Sequence, residues 1–235
     1  MIIERNLIIS TLKLTRNGPV LFENIKIDSR ALSETSITLL EKYQSENLLK
    51  LNNGTVEVEG ENRLKLASRA ISLGADIEVL SNFLSWHEFE SFAATALTNS
   101  GYAVNQNLRF KFAGRRWEAD VVGCKRPLVV CLDCKSWHHG LAPSVLRHLT
   151  EKQAERTREL ADALPSLSMS LKCAKWKEAV FVPALLVLAP TRFKFCDGVP
   201  IVPVLQLSDF LVNLPVEMSS LKYFRKEFAH LSHDS

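Results

Sequence analysis

Trp117–Gly123 reads WEADVVG and Leu128–Lys135 reads LVVCLDCK, two short apolar runs separated by Cys124, Lys125, Arg126 and Pro127. Their length, Val content and flanking turn residues predict adjacent strands. Side chains alternate along a strand, so Glu118 and Asp120 are expected on one face and Ala119 and Val121 on the other. The same period sets Asp133 and Lys135 together at the end of the second strand. Asp is a poor strand former, and a charge inside an apolar strand is costly unless it is paired. An acid and a base on one side of LVVCLDCK therefore need a reason. One is an ion pair at a strand end; another is a site.

Working outward, Phe89, Phe92, Ala93, Ala96 and Leu97 give the preceding segment the spacing of a helix with one buried face. Glu90 falls on the flank of that face, and Gly101 is placed to end the helix. Strands are expected near Tyr102–Phe112, Trp117–Val122 and Leu128–Lys135, a long helix over Pro143–Leu164, and further apolar strands over Ala179–Leu188 and Pro200–Leu205. Buried strands followed by long helices predict an α/β fold, a mixed sheet flanked by helices. Within the long helix, Gln153 and Arg156 stand among Leu146, Leu149 and Leu160, where apolar residues would be usual. Gln153 is a candidate orienting donor and Arg156 a candidate phosphate contact. Carboxylate oxygens from Glu90, Asp120 and Asp133 converging on one point would form a hard-cation site suited to Mg²⁺. Lys135 beside them could stabilise charge on a phosphate.

Ahead of this lies a smaller helical unit. Helices are expected over Arg5–Arg16, over Val20–Ile27 and after Ser33, followed by two alternating strands about Asn53-Gly54, a strong hairpin signal. Three helices and a hairpin suggest a winged-helix-like domain over residues 1–61, joined by a helix at 62–80 to a catalytic domain at 81–235. The third helix carries Glu34, Glu41 and Glu46 against Lys42 alone, which favours a protein partner or dimerisation over DNA reading.

The composition, 46% hydrophobic and 23% charged over 235 residues, excludes a disordered or fibrous chain. The longest apolar run, Ala179–Pro190, is too short to cross a bilayer, which takes about 20 residues. Glu4 and Arg5 interrupt the stretch in which a signal peptide would be apolar, so a cytoplasmic location is expected. Five cysteines suggest free thiols rather than a disulfide framework. Cys131 and Cys134 have CxxC spacing, but on a strand they point to opposite faces and cannot grip one zinc ion. Residues 1–80 hold ten basic against eleven acidic side chains and residues 81–235 hold nineteen against fifteen, so the positive excess lies in the second part. There Arg109, Lys111, Arg115 and Arg116 alternate with Phe110, Phe112 and Trp117, a candidate DNA-backbone contact. His138 and His139 follow the acidic motif in an expected loop.

Over Trp86–Leu160, and more weakly to residue 213, the chain resembles the PD-(D/E)xK nuclease superfamily, most closely the archaeal Holliday-junction resolvases and Mrr-like restriction endonucleases. In HEFESFAATALTNSGYAV, Glu90 precedes the pair Gly101-Tyr102 by 11 residues; WEADVVG supplies Asp120; CLDCKSW supplies Asp133, Cys134 and Lys135 after a 13-residue step, with Ser136 next. Ala119 stands where many members have proline, and the second acid is Asp rather than Glu. The resemblance implies a restriction-endonuclease-like fold and a Mg²⁺-dependent DNA endonuclease, with Mn²⁺ able to substitute. It further implies metal ligation by Glu90, Asp120, Asp133 and the Cys134 carbonyl, Lys135 orienting the attacking water, and a supporting role for Ser136. Branched or structured DNA is the expected substrate and a homodimer an expected assembly. Duplex restriction and a non-catalytic nucleic-acid-binding module are the alternatives.

Overall fold

The computed structural model describes residues 2–135, 142–164, 171–188 and 192–228, so Ser136, His138 and His139 lie outside the described residues. The chain divides into two compact units, the first comprising residues up to Phe92 and the second starting at Ala93.

The first unit packs helix α1 (Ile2–Leu14) against α2 (Phe22–Ser29), α3 (Ser33–Ser45) and α4 (Glu61–Ser72). Leu7, Ile8, Leu12, Ile25, Leu40 and Leu64 are fully or almost fully buried, which supplies most of the driving force for this unit. Strands β2 (Lys50–Asn52) and β3 (Thr55–Glu57) form the expected hairpin. Asn53 and Gly54 both take positive φ, 47° and 77°, as a two-residue hairpin turn of this hand requires. The second helix was expected to begin at Val20, but Val20 and Leu21 form β1 and pair with Val56 and Thr55. Backbone pairing to an open strand edge takes precedence over helical spacing there, and the helix starts at Phe22. The expected connecting helix is two, α4 and α5 (Ile77–Ser81), and α4 is packed on α1. Helix α6 (Trp86–Asn99) opens with a capping box in which the Glu88 carboxylate accepts from Ser85 N and Oγ while Ser85 Oγ accepts from Glu88 N.

The second unit is a mixed sheet of seven strands among the described residues. Its strands are β4 (Ala103–Phe112), β5 (Arg115–Lys125), β6 (Leu128–Lys135), β7 (Glu178–Val187), β8 (Phe195–Cys196), β9 (Val199–Pro203) and β10 (Phe224–Glu227). β4, β5 and β6 form an antiparallel meander, and β6 pairs in parallel with β7 along its whole length. The far edge of β7 takes β10 at its start and β9 at its end. β6 and β7 are buried almost throughout, which explains their continuous apolar runs: a parallel strand covered on both faces has no polar side. Helix α7 (Pro143–Ala163) crosses β7, β4 and β10 and places Leu160, Ala161 and Ala163 in a core with Val122, Val129 and Phe181. Helix α8 (Leu207–Glu217) packs near β9. Leu97 lies against Gly123, where a Cβ would stand 2.7 Å from its methyl, so only glycine admits the helix this close.

Candidate active site

Strict alternation does not run the length of β4 and β5. The α7-side core takes Ala103 and then Leu108 and Phe110 from β4, and Trp117 and Ala119 and then Val122 and Cys124 from β5. The odd-even phase thus changes on both strands at the level of Asn107 and Asp120. Register is kept across the change, with Gln106 opposite Val121 and Leu108 opposite Ala119. Asn107 carries a φ of 51°, a left-handed conformation that Asn tolerates better than other non-glycine residues. Glu118 and Asp120, expected on one face, differ in surroundings. Glu118 is exposed and pairs with Arg109, whereas Asp120 is partly buried beside Asp133. Asn107 was not anticipated; its signal is a poor strand former inside the run AVNQNLRFKF.

Pairing of β5 with β6 ends at Val121 opposite Leu132. Beyond that pair, the Cys134 N–H donates to Asp120 Oδ2 at 2.8 Å. The carboxylate of Asp120 is thereby held at the end of the ladder. Asp133 is 2% exposed and accepts from two cations, Lys135 Nζ at 3.0 Å and Arg156 Nη1 at 2.5 Å. The Arg156 guanidinium also donates to Gln153 Oε1 at 2.7 Å, and Gln153 Nε2 donates to the Cys131 carbonyl at 2.8 Å. The presence of Gln153 and Arg156 in α7 is thereby accounted for. Gln153 ties the helix to β6 and orients Arg156, and Arg156 seats on Asp133 rather than standing free for a phosphate.

Burial pushes the Asp120 carboxyl above its ordinary range and the Asp133 charge adds to the shift, while the Cys134 N–H, Lys135 and Arg156 pull the other way. A raised carboxyl binds its proton more tightly folded than unfolded, so the ionised form costs stability above the folded value and costs nothing below the unfolded value near 3.8. Asp120→Asn keeps an acceptor for the Cys134 N–H and removes that charge. Its urea midpoint is expected above wild type at pH 7, with the difference shrinking as pH falls toward 4. A midpoint below wild type at pH 7 would mean that the Asp120 charge is stabilising.

Asp120, Asp133, Lys135, Gln153 and Arg156 are thus brought together within the second unit. Glu90 belongs to the first unit, 2% exposed on α6, with His87 Nδ1 3.8 Å from its Oε2. Among the described residues no group of three or more His, Cys, Asp and Glu side chains gathers as a metal cage. The donors at Asp120 and Asp133 are nevertheless all oxygen. A carboxylate raised first by burial and then by its neighbour is one whose charge a divalent cation would relieve, and Mg²⁺ commonly uses one or two carboxylates and completes its shell with water. The residues present fit Mg²⁺ on that ground.

The basic hairpin is less free than its sequence suggests. Arg109 pairs with Glu118 at 3.1 Å, and Arg115 pairs with Glu155 at 2.8 Å while stacking 4.4 Å from the Trp117 ring centroid. Lys111 and Arg116 are exposed and line, with Phe110 and Trp117, a groove of about 600 Å³. Cys131 is buried and its thiol is pushed up to about 12, which leaves it inert.

No family model matches the chain and no curated protein matches it significantly. Among solved structures it is similar to protein VC1899 from Vibrio cholerae, at 14% identity and a TM-score of 0.37, over 93% of this chain and 53% of that one. It is also similar to Can2 from Sulfobacillus thermosulfidooxidans in complex with cyclic tetra-adenylate, at 13% identity and a TM-score of 0.36, over 90% of this chain and 50% of that one. The chain spans about half the length of both.

Proposed function

We propose that the chain is a Mg²⁺-dependent DNA endonuclease whose second unit is a restriction-endonuclease-like catalytic domain and whose first is a winged-helix-like domain. The observation that carries this reading is the pair Asp120 and Asp133 at the end of the β5–β6 ladder, with Lys135 and Arg156 on Asp133. Asp120, Asp133 and the Cys134 carbonyl would hold the ion, which when bound would polarise a phosphodiester oxygen and lower the pKa of a coordinated water. Lys135 orients the attacking water and stabilises charge on the phosphate. Arg156, held by Gln153, fixes the Asp133 carboxylate in one rotamer. Glu90 stands as a further ligand by resemblance. Lys111 and Arg116 contact the DNA backbone, branched DNA is the preferred substrate, and the acidic α3 faces a protein partner or a second copy.

Cleavage of four-way junction, flap, single-stranded and duplex DNA with Mg²⁺ or Mn²⁺ tests this reading. Lys135→Ala is expected to keep DNA binding and lose at least about tenfold in rate, roughly 1.4 kcal/mol of barrier. Unchanged cleavage removes Lys135 from the mechanism. One observation favours a second reading: both cations on Asp133 are internal, as in a structural ion pair. No cleavage of any substrate by folded protein would favour a non-catalytic nucleic-acid-binding module.

A further inference from the structure

We propose that the second unit carries a separate nucleotide-binding site at the opposite end of β5 and β6 from Asp120 and Asp133. A cavity of about 690 Å³ opens there beneath the turn joining the two strands, walled on its other sides by α8 and the segment leading into β10. Its size falls within the range of small-molecule sites, about 300–1,000 Å³. Lys125 lies five residues along β5 from Asp120, about 16 Å at the rise of a strand, so the cavity and the acidic pair do not share side chains.

The charge of the cavity decides the class of ligand. Lys125, Arg126 and Arg225 all line it, and among the described residues no Asp or Glu does. Arg126 is exposed and forms no ion pair among the described residues. Arg225 Nε lies 4.0 Å from Glu178 Oε2. Lys125 is held in place, donating to the Ser100 carbonyl at 2.8 Å with its Nζ 5.4 Å from the Tyr102 ring centroid. A concavity lined by one sign of charge concentrates the opposite ion, and three cations, of which only Arg225 has a carboxylate near it among the described residues, suit a phosphate.

The remaining walls exclude phosphate alone as the ligand. Leu128, Val212, Pro215 and Met218 give the cavity an apolar body, and Tyr223 presents a half-exposed ring. That combination accepts a flat, largely apolar group by stacking. Ser100 and Ser219 also line the cavity with polar groups. They can serve the edge of a nucleobase, whereas an alkyl chain would leave them unsatisfied. Phosphate plus aromatic base is the chemistry of a nucleotide.

The site does not depend on the nuclease reading. Calorimetric titration of the full chain in EDTA with AMP, GMP, CMP and UMP tests it, with inorganic phosphate and palmitate as contrasts. Saturable binding of at least one mononucleotide is expected, at least tenfold tighter than inorganic phosphate. Arg126→Glu and Val212→Trp should each weaken it at least tenfold, and Asp120→Asn should leave it unchanged. Both pocket substitutions fall on exposed positions, so melting curves like wild type are expected for them. The proposal is overturned by the absence of saturable nucleotide binding, by binding that neither pocket variant weakens, by loss of binding in Asp120→Asn, or by palmitate binding in preference. It is also overturned if the chain is a dimer that Val212→Glu dissociates and takes up no nucleotide. Nucleotide binding without DNA cleavage would leave this site standing and sink the nuclease reading alone.

Discussion

Asp133→Ala is expected to abolish cleavage and to destabilise the second unit by about 3–5 kcal/mol, the usual cost of removing one partner from a buried ion pair. Asp133 is 2% exposed, and the side chain of Arg156, its closer partner, is 13% exposed. Removing the carboxylate leaves the guanidinium with Gln153 Oε1 as an acceptor and breaks the Lys135 ion pair. Typical domains are stable by only about 5–15 kcal/mol, so a lowered urea midpoint should be plain. The contrast with Asp120→Asn makes the test specific. Two neighbouring carboxylates are expected to act in opposite directions, because Asp133 has internal cations and Asp120 has chiefly a backbone N–H. If both substitutions destabilise alike, this division of charge is wrong. If Asp133→Ala cleaves like wild type, the acidic pair is structural.

Arg63→Ala should be the most damaging single change in the first unit, costing about 3–5 kcal/mol. Arg63 is 5% exposed and its guanidinium meets four partners. Nε meets Glu88 at 2.6 Å, Nη1 donates to Thr15 Oγ1 at 2.9 Å, and Nη2 donates to the carbonyls of Leu12 and Phe83, each at 2.8 Å. One side chain therefore joins α4 to the end of α1, to the segment before α6 and to the capping box that opens α6. Burial lowers the Arg63 pKa and Glu88 partly restores it, so the pair stands or falls together. Arg63→Lys keeps the charge without the planar fork and should recover less than half of the loss. Hydrogen exchange in α1 and α4 reports the effect directly. Wild-type protection in Arg63→Ala would show that helix packing alone holds this unit.

Much of this chain was legible from local pattern. The Asn53-Gly54 hairpin, the strands WEADVVG and LVVCLDCK, and the long helix with its misplaced Gln153 and Arg156 were all read from residues a few positions apart. Turn preference, strand alternation and helical period are properties of neighbouring residues, so they survive without a fold. The small β1 strand was not legible, because Val20 and Leu21 extend only to meet Val56 and Thr55.

The site shows the same boundary. Sequence singled out Asp120, Asp133, Lys135, Gln153 and Arg156 as polar residues that an apolar sheet and its covering helix would not choose. It could not assign their partners, since Arg156 reaches Asp133 across 23 positions and Gln153 reaches the Cys131 carbonyl across 22. Nor could it show that Arg109 and Arg115 are matched by Glu118 and Glu155, or that Asn107 turns the strand phase beside Asp120. Sequence by itself determined which polar residues stand out in apolar elements and on which elements they lie, because the cost of a charge in an apolar run can be read without a fold. Tertiary structure decided which charges neutralise one another, because Coulombic and hydrogen-bond partners are set by distance in space.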